Sequence, residues 1–124
     1  MKLITLKALL GLLIFDLRGF SRNFSKMHDV VSHWPVRSLP IDANIVHQIC
    51  DAVNYACVWY PKRVLCLQRS AVTTCLLRDC GVAAKMVMGA QDLPFKAHAW
   101  TEVDGQPINE RRDIRKVYSE LERC

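Results

Sequence analysis

Apolar residues in the middle of the chain recur at helical steps. Ile45, Val46, Ile49, Ala52, Val53, Ala56 and Cys57 form one stripe, the signature of an amphipathic α-helix. Asp42 gives that helix a start and Trp59–Tyr60–Pro61 a stop. A second helix is predicted from Cys66 to Gly81, whose glycine suits a left-handed C-terminal cap. Apolar or small residues surround much of it, which places it at the centre of the fold. The period then changes. Val82–Met88 reads as a short buried strand ending at Gly89. Ala97–Val103 alternates like a strand and runs into Asp104–Gly105, a strong hairpin signal. Pro107–Glu110 is the return strand, with Pro107 arguing for an edge or a first position. Ile114, Val117, Tyr118 and Leu121 share one face of a short C-terminal helix.

Ahead of these elements, residues 1–34 are helical in tendency, with Gly19 and Ser21 as punctuation. Pro35 and Pro40 each disfavour helix at the preceding residue, so residues 33–40 read as a connector. The longest uncharged apolar run, Ala8 to Phe15, is too short to span a bilayer, and no small-x-small cleavage site follows it. It reads as a helix laid over the domain's own core. The order of elements predicts an α+β fold: N-terminal helices and a central helix packed on a small antiparallel sheet. At 124 residues this is a single domain, divided into a helical segment and connector (1–40) and a core (41–124).

Composition narrows the function. Apolar residues at 51% and charged residues at 23% describe a folded chain. The net charge is +5, and residues 1–40 hold six basic against two acidic groups. No basic run or zinc-finger spacing accompanies the charge, so neither nucleic acid nor a membrane is expected as a partner. Cys50, Cys57, Cys66, Cys75, Cys80 and Cys124 all lie at or beyond residue 50, mostly in helical segments. Free thiols in a reducing cytoplasm explain them better than a disulfide framework. There is no CxxC pair, and His28, His33, His47 and His98 make no HExxH pattern, so no metal or other cofactor is implied.

Chemistry centres on Cys66. It stands where a loop carrying Lys62 and Arg63 gives way to a helix, and helix N-termini and cations both favour thiolate. The other five cysteines are assigned to packing or to no role. His98 follows in mid-strand, flanked by alanines that leave a cleft beside its imidazole. Together the two residues allow base-assisted thiol attack. A third group must orient the histidine, and the turn decides which. A two-residue turn at Asp104–Gly105 pairs Trp100 with Asn109 and puts Asn109 on the His98 side. A three-residue turn with a glycine bulge puts Glu110 there instead. Spacing leaves both open. Trp100 shares the His98 face as a cleft wall or an aromatic lid, Arg69 reads as solvated or carboxylate-paired, and Ser70 as a packing hydroxyl.

The stretch Arg63 to Glu110 resembles the leader peptidases (B proteins) of lasso-peptide biosynthesis, in the transglutaminase-like cysteine protease superfamily. CLQRS at 66–70, LLRDCG at 76–81, PF–K–AHAWTEVDG at 94–105 and INE at 108–110 carry the likeness. The resemblance implies Cys66 as nucleophile, His98 as base and Glu110 as acid, where the family usually has Asp. It therefore favours the bulged register. It also implies cleavage between leader and core of a ribosomally made precursor by a stand-alone peptidase. A separate small leader-recognition protein would serve it, and a lasso cyclase is a further candidate partner. In that mechanism the backbone N–H of Cys66 faces the oxyanion, with Trp59 and Gln68 as candidates for a second donor beside the substrate. Acyl transfer to an amine, or a non-catalytic scaffold in which Cys66 merely packs, are the other classes these residues allow.

Overall fold

The computed structural model describes residues 2–19, 23–42, 44–92, 95–110 and 114–124. Along the chain come α1 (Lys2–Leu17), α2 (Phe24–Ser32), α3 (Ile45–Trp59), α4 (Cys66–Asp79), β1 (Lys85–Asp92), β2 (Phe95–Val103), β3 (Gln106–Ile108), α5 (Ile114–Val117) and β4 (Ser119–Arg123). The strands form one antiparallel sheet in the order β3-β2-β1-β4. The fold is α+β, as the element order predicts. Gly19 takes φ +71° just past α1, while Ser21 lies outside the described residues.

Helix α4 is the hub, with every residue from Ser70 to Arg78 buried. Its apolar positions join Ala8, Leu12 and Phe15 of α1, Met27 and Val31 of α2, and Ile49, Val53 and Ala56 of α3 in one core cluster. The opposite face of α1 carries Leu3, Leu6, Leu10, Leu13 and Leu17 exposed, so that helix is apolar on two opposite faces. No helix among the described residues is long and apolar enough to cross a membrane. Past α4, Gly81 holds φ +90°, and a Cβ there would meet the Leu39 carbonyl oxygen at 2.8 Å. Only glycine fits both constraints. Arg78 is buried, and its guanidinium donates to the carbonyls of Ala84, Val31 and Trp34. Trp34 Nε1 donates in turn to Asp79 Oδ1 at 2.8 Å, which pins the connector to the end of α4.

The structure departs from the sequence pattern at three places. β1 does not run from Val82 to a stop at Gly89 but from Lys85 to Asp92. Gly89 is there for space, because the Trp100 ring of β2 covers it. The return strand β3 ends at Ile108, since Asn109 takes a left-handed backbone (φ +54°) that breaks the ladder. The C-terminal helix is a single turn, and the chain re-enters the sheet as β4. The helical step of Ile114, Val117, Tyr118 and Leu121 is a local pattern; the open edge of β1 outweighs it. Met86 and Cys124 exchange both backbone hydrogen bonds just beyond β4, and Leu121 stays exposed. Arg123 of β4 also donates to the carboxylate of buried Glu102 at 3.1 Å.

Gly89→Ala tests the space argument. The added carbon would sit 2.7 and 2.8 Å from the Trp100 ring and 3.0 Å from Tyr118 Cβ. Overpacking of this kind costs about 1–3 kcal/mol. Urea unfolding is expected to show a lower midpoint at unchanged slope.

Candidate active site

β3 pairs with β2 only over Thr101, Glu102 and Val103. From His98 to Trp100, therefore, no strand among the described residues lies beside that edge of β2, and the start of α4 meets it. Ser70 Oγ donates to the Ala99 carbonyl at 2.9 Å, and the Ala99 N–H donates toward the Cys66 sulfur. Further along, Thr101 Oγ1 lies 3.1 Å from both the Ser70 carbonyl and Thr74 Oγ1. Ser70 is thus a packing hydroxyl, and this ladder fixes α4 against β2. Cys66 is the first residue of α4. The unpaired amides of a helix's first turn favour an anion there, and the Leu67 N–H also points to the sulfur.

His98 meets both neighbours. Its Nε2 lies 2.7 Å from Glu110 Oε2, and its ring is hydrogen-bonded to the Cys66 thiol. With Nε2 taken by the carboxylate, Nδ1 is left for the sulfur. Trp100 stacks on the imidazole at 6.1 Å between centroids, and Tyr118 approaches it at 5.4 Å.

Burial pushes the Cys66 thiol up, yet hydrogen bonds from His98 and from the Ala99 and Leu67 amides, with the His98 charge, bring it below the ordinary value. His98 is raised to about 9, chiefly by its bond to Cys66, against burial and with the help of Glu110. At Cys50 (up to about 11), Cys75 (up to about 12), Cys57 and Cys124 burial prevails, and these thiols end above the ordinary value. The arrangement can hold a thiolate, an imidazolium and a carboxylate in line, the charge pattern of a cysteine nucleophile with its base and orienting acid. The cations expected to help do not: Lys62 Nζ sits 3.3 Å from Asp16 Oδ2, and Arg63 is exposed.

The third group corrects the sequence reading. Asp104 (φ +52°) and Gly105 (φ +76°) form a two-residue turn and Val103 pairs with Gln106, so the bulged register is wrong. In a continuing strand Asn109 would then face His98. Its left-handed backbone ends the alternation and swings Glu110 onto the ring instead. The Asn109 side chain turns to Asn54, each amide donating to the other's oxygen at 2.9 Å.

Other expected contacts fall elsewhere. Gln68 is no oxyanion donor: it is buried, with Nε2 donating to the Leu12 carbonyl at 2.8 Å. Trp59 is exposed at the end of α3 and does not line the site. Trp100 is 2% exposed and backs the imidazole rather than walling an open cleft, its indole N–H donating to Glu102 at 2.9 Å. Pro94 of the PF–K–AHAW segment lies outside the described residues. Asn54 and Tyr118 also approach the site, through Asn109 and the His98 ring, and their helical spacing gives no sign of it. A partly open cavity of about 20 Å³, lined by Cys66, His98 and Glu110, has room for about one water molecule. No cluster of His, Cys, Asp or Glu able to hold a metal occurs among the described residues.

Glu110→Gln removes the carboxylate charge while keeping the shape. Histidine NMR titration is expected to place His98 near 9 in the wild-type protein. In the variant its midpoint should fall by roughly one to two pH units, as loss of a contacting opposite charge requires. An unmoved midpoint would mean that the carboxylate does not act on the ring.

Residues 11–123 match the family model described as the transglutaminase-like superfamily. No curated protein and no solved structure matches the chain. The superfamily's chemistry is that of cysteine proteases and acyltransferases. The match runs from within α1 to the end of β4, and on that evidence the chain belongs to the transglutaminase-like superfamily.

Proposed function

We propose that this protein is a cysteine peptidase that removes the leader from a ribosomally synthesised precursor of the lasso-peptide type. One observation carries the reading: the Glu110 carboxylate stands 2.7 Å from an imidazole that is itself hydrogen-bonded to Cys66. The choice of substrate rests on the likeness of residues 63–110 to the lasso leader peptidases.

The Cys66 thiolate attacks the carbonyl carbon joining leader to core. Negative charge moves onto the carbonyl oxygen, which faces the Cys66 N–H at the start of α4. As the tetrahedral adduct collapses, the C–N bond breaks and His98 gives its proton to the leaving core amine. The leader remains as a thioester on Cys66. Water then attacks that thioester, and His98 takes the water's proton. The C–S bond breaks, releasing the leader carboxylate and the thiolate. Glu110 keeps the ring oriented and its positive form stable throughout.

The described residues around Cys66, His98 and Glu110 line a partly open cavity of about 20 Å³, small beside a peptide side chain. On this reading the peptide lies across the surface above Cys66 rather than in a deep pocket. That supports a separate small leader-binding protein as partner, with a lasso cyclase consuming the freed core amine. The free thiols are in keeping with a cytoplasmic setting.

Incubation with a candidate precursor and its recognition protein, read by mass spectrometry, is expected to give leader and core as two masses. Cys66→Ala should abolish the cut, and Glu110→Gln should slow it by roughly 10²–10⁴-fold. The rate is expected to fall as pH rises through about 9, where His98 loses the proton it must deliver. A cross-linked product would indicate acyl transfer. Cleavage by Cys66→Ala would remove the sulfur from the mechanism.

A further inference from the structure

Glu110 reaches His98 only because the residue before it reverses the backbone. β3 is three residues long, and past Ile108 its ladder no longer holds the chain. Asn109 nevertheless keeps φ +54°, a conformation that L-residues adopt sparingly and asparagine more readily than most. Something outside the strand must select it.

Two neighbouring elements converge on that residue. From α3, Asn54 forms a reciprocal amide pair with the Asn109 side chain, both bonds at 2.9 Å. From α4, Arg69 Nη2 donates to Asn54 Oδ1 at 2.9 Å and to the Asn109 main-chain carbonyl at 3.3 Å. One end of Asn109 is thus held through its amide and the other through its carbonyl. Arg69 is also three residues beyond Cys66 and lines the same small cavity as Cys66, His98 and Glu110. The helix that presents the sulfur therefore also anchors the turn that presents the acid.

We propose that Asn54 and Arg69 are positioning residues that clamp Asn109 in its left-handed turn and so hold the Glu110 carboxylate on His98. This rests on the Cys66–His98–Glu110 reading of the site, though not on the identity of the peptide. Arg69 is half-buried and tied to an amide and a carbonyl rather than paired with a carboxylate. A plain stitch between α3 and the hairpin would affect only stability. A clamp acting through Glu110 must also alter the ionisation of the Cys66–His98 pair, because the imidazolium that stabilises the thiolate is itself stabilised by the carboxylate.

That difference can be read without any substrate. Full-length protein is treated with iodoacetamide across a pH series, and labelling of the Cys66 peptide is followed by mass spectrometry. Wild-type Cys66 is expected to label with a midpoint below that of an ordinary thiol. In Asn54→Ala and Asn109→Gly the midpoint should rise toward that of Glu110→Gln. Labelling at pH 6 should slow by roughly tenfold for each pH unit the midpoint moves. The glycine variant keeps the backbone conformation accessible, so it separates loss of the clamp from loss of the turn. The double variant Asn54→Ala/Glu110→Gln should behave as Glu110→Gln alone, since the first change acts through the second. Wild-type midpoints in both clamp variants, with circular dichroism showing them folded, would overturn the inference. So would an Asn54→Ala effect that adds in full to Glu110→Gln. A wild-type Cys66 that labels only in the ordinary thiol range would overturn the reading of the site itself.

Discussion

Ala99 turns both its N–H and its C=O toward an edge of the sheet that no strand among the described residues occupies. Two unmet backbone groups in a buried position would each cost about 1–3 kcal/mol. Here a helix meets them: the Cys66 sulfur accepts from the N–H and the Ser70 hydroxyl donates to the C=O. Because the two side chains are one helical turn apart, this pairing fixes both the height and the rotation of α4 against β2. The sulfur is set beside the residue that precedes Ala99, which is His98. A longer β3 would have taken the same edge and left no place for the thiol.

Ionisation of the site follows from that placement rather than from surrounding charge. Burial alone makes a thiol harder to ionise, as it does at Cys50 and Cys75. Cys66 goes the other way because the group beside it can become a cation, and that cation has its own carboxylate. Each member of the line depends on the next. Trp100 and Tyr118 limit where the ring can go, and Gly89 makes room for the indole beneath it.

Local signals were readable from the chain. The apolar stripe of α3, the glycine ending α4 and the Asp104–Gly105 turn each depend on a few adjacent residues, and each is where the pattern put it. Cys66 and His98 were legible as a pair because a helix start and a small-flanked strand position are local features too. The role of Asn109 was not, since it depends on partners 40 and 55 residues away. Gln68 is another case: nothing in its helix shows that the Leu12 carbonyl lies within reach. β4 is not legible in the sequence for a related reason. Its residues are all exposed, and its pairing comes from a neighbour's open edge and from buried Glu102.

Arg78 bears on how the chain may be divided. Its guanidinium is buried, and two of the three carbonyls that solvate it, those of Val31 and Trp34, belong to the segment before residue 41. A fragment beginning at residue 41 would strand a full positive charge in a dry interior, and water would have to enter to reach it. The opening helices and their connector are therefore the solvent of that ion, and the boundary at residue 40 marks a change of sequence character, not a line along which the molecule can be cut.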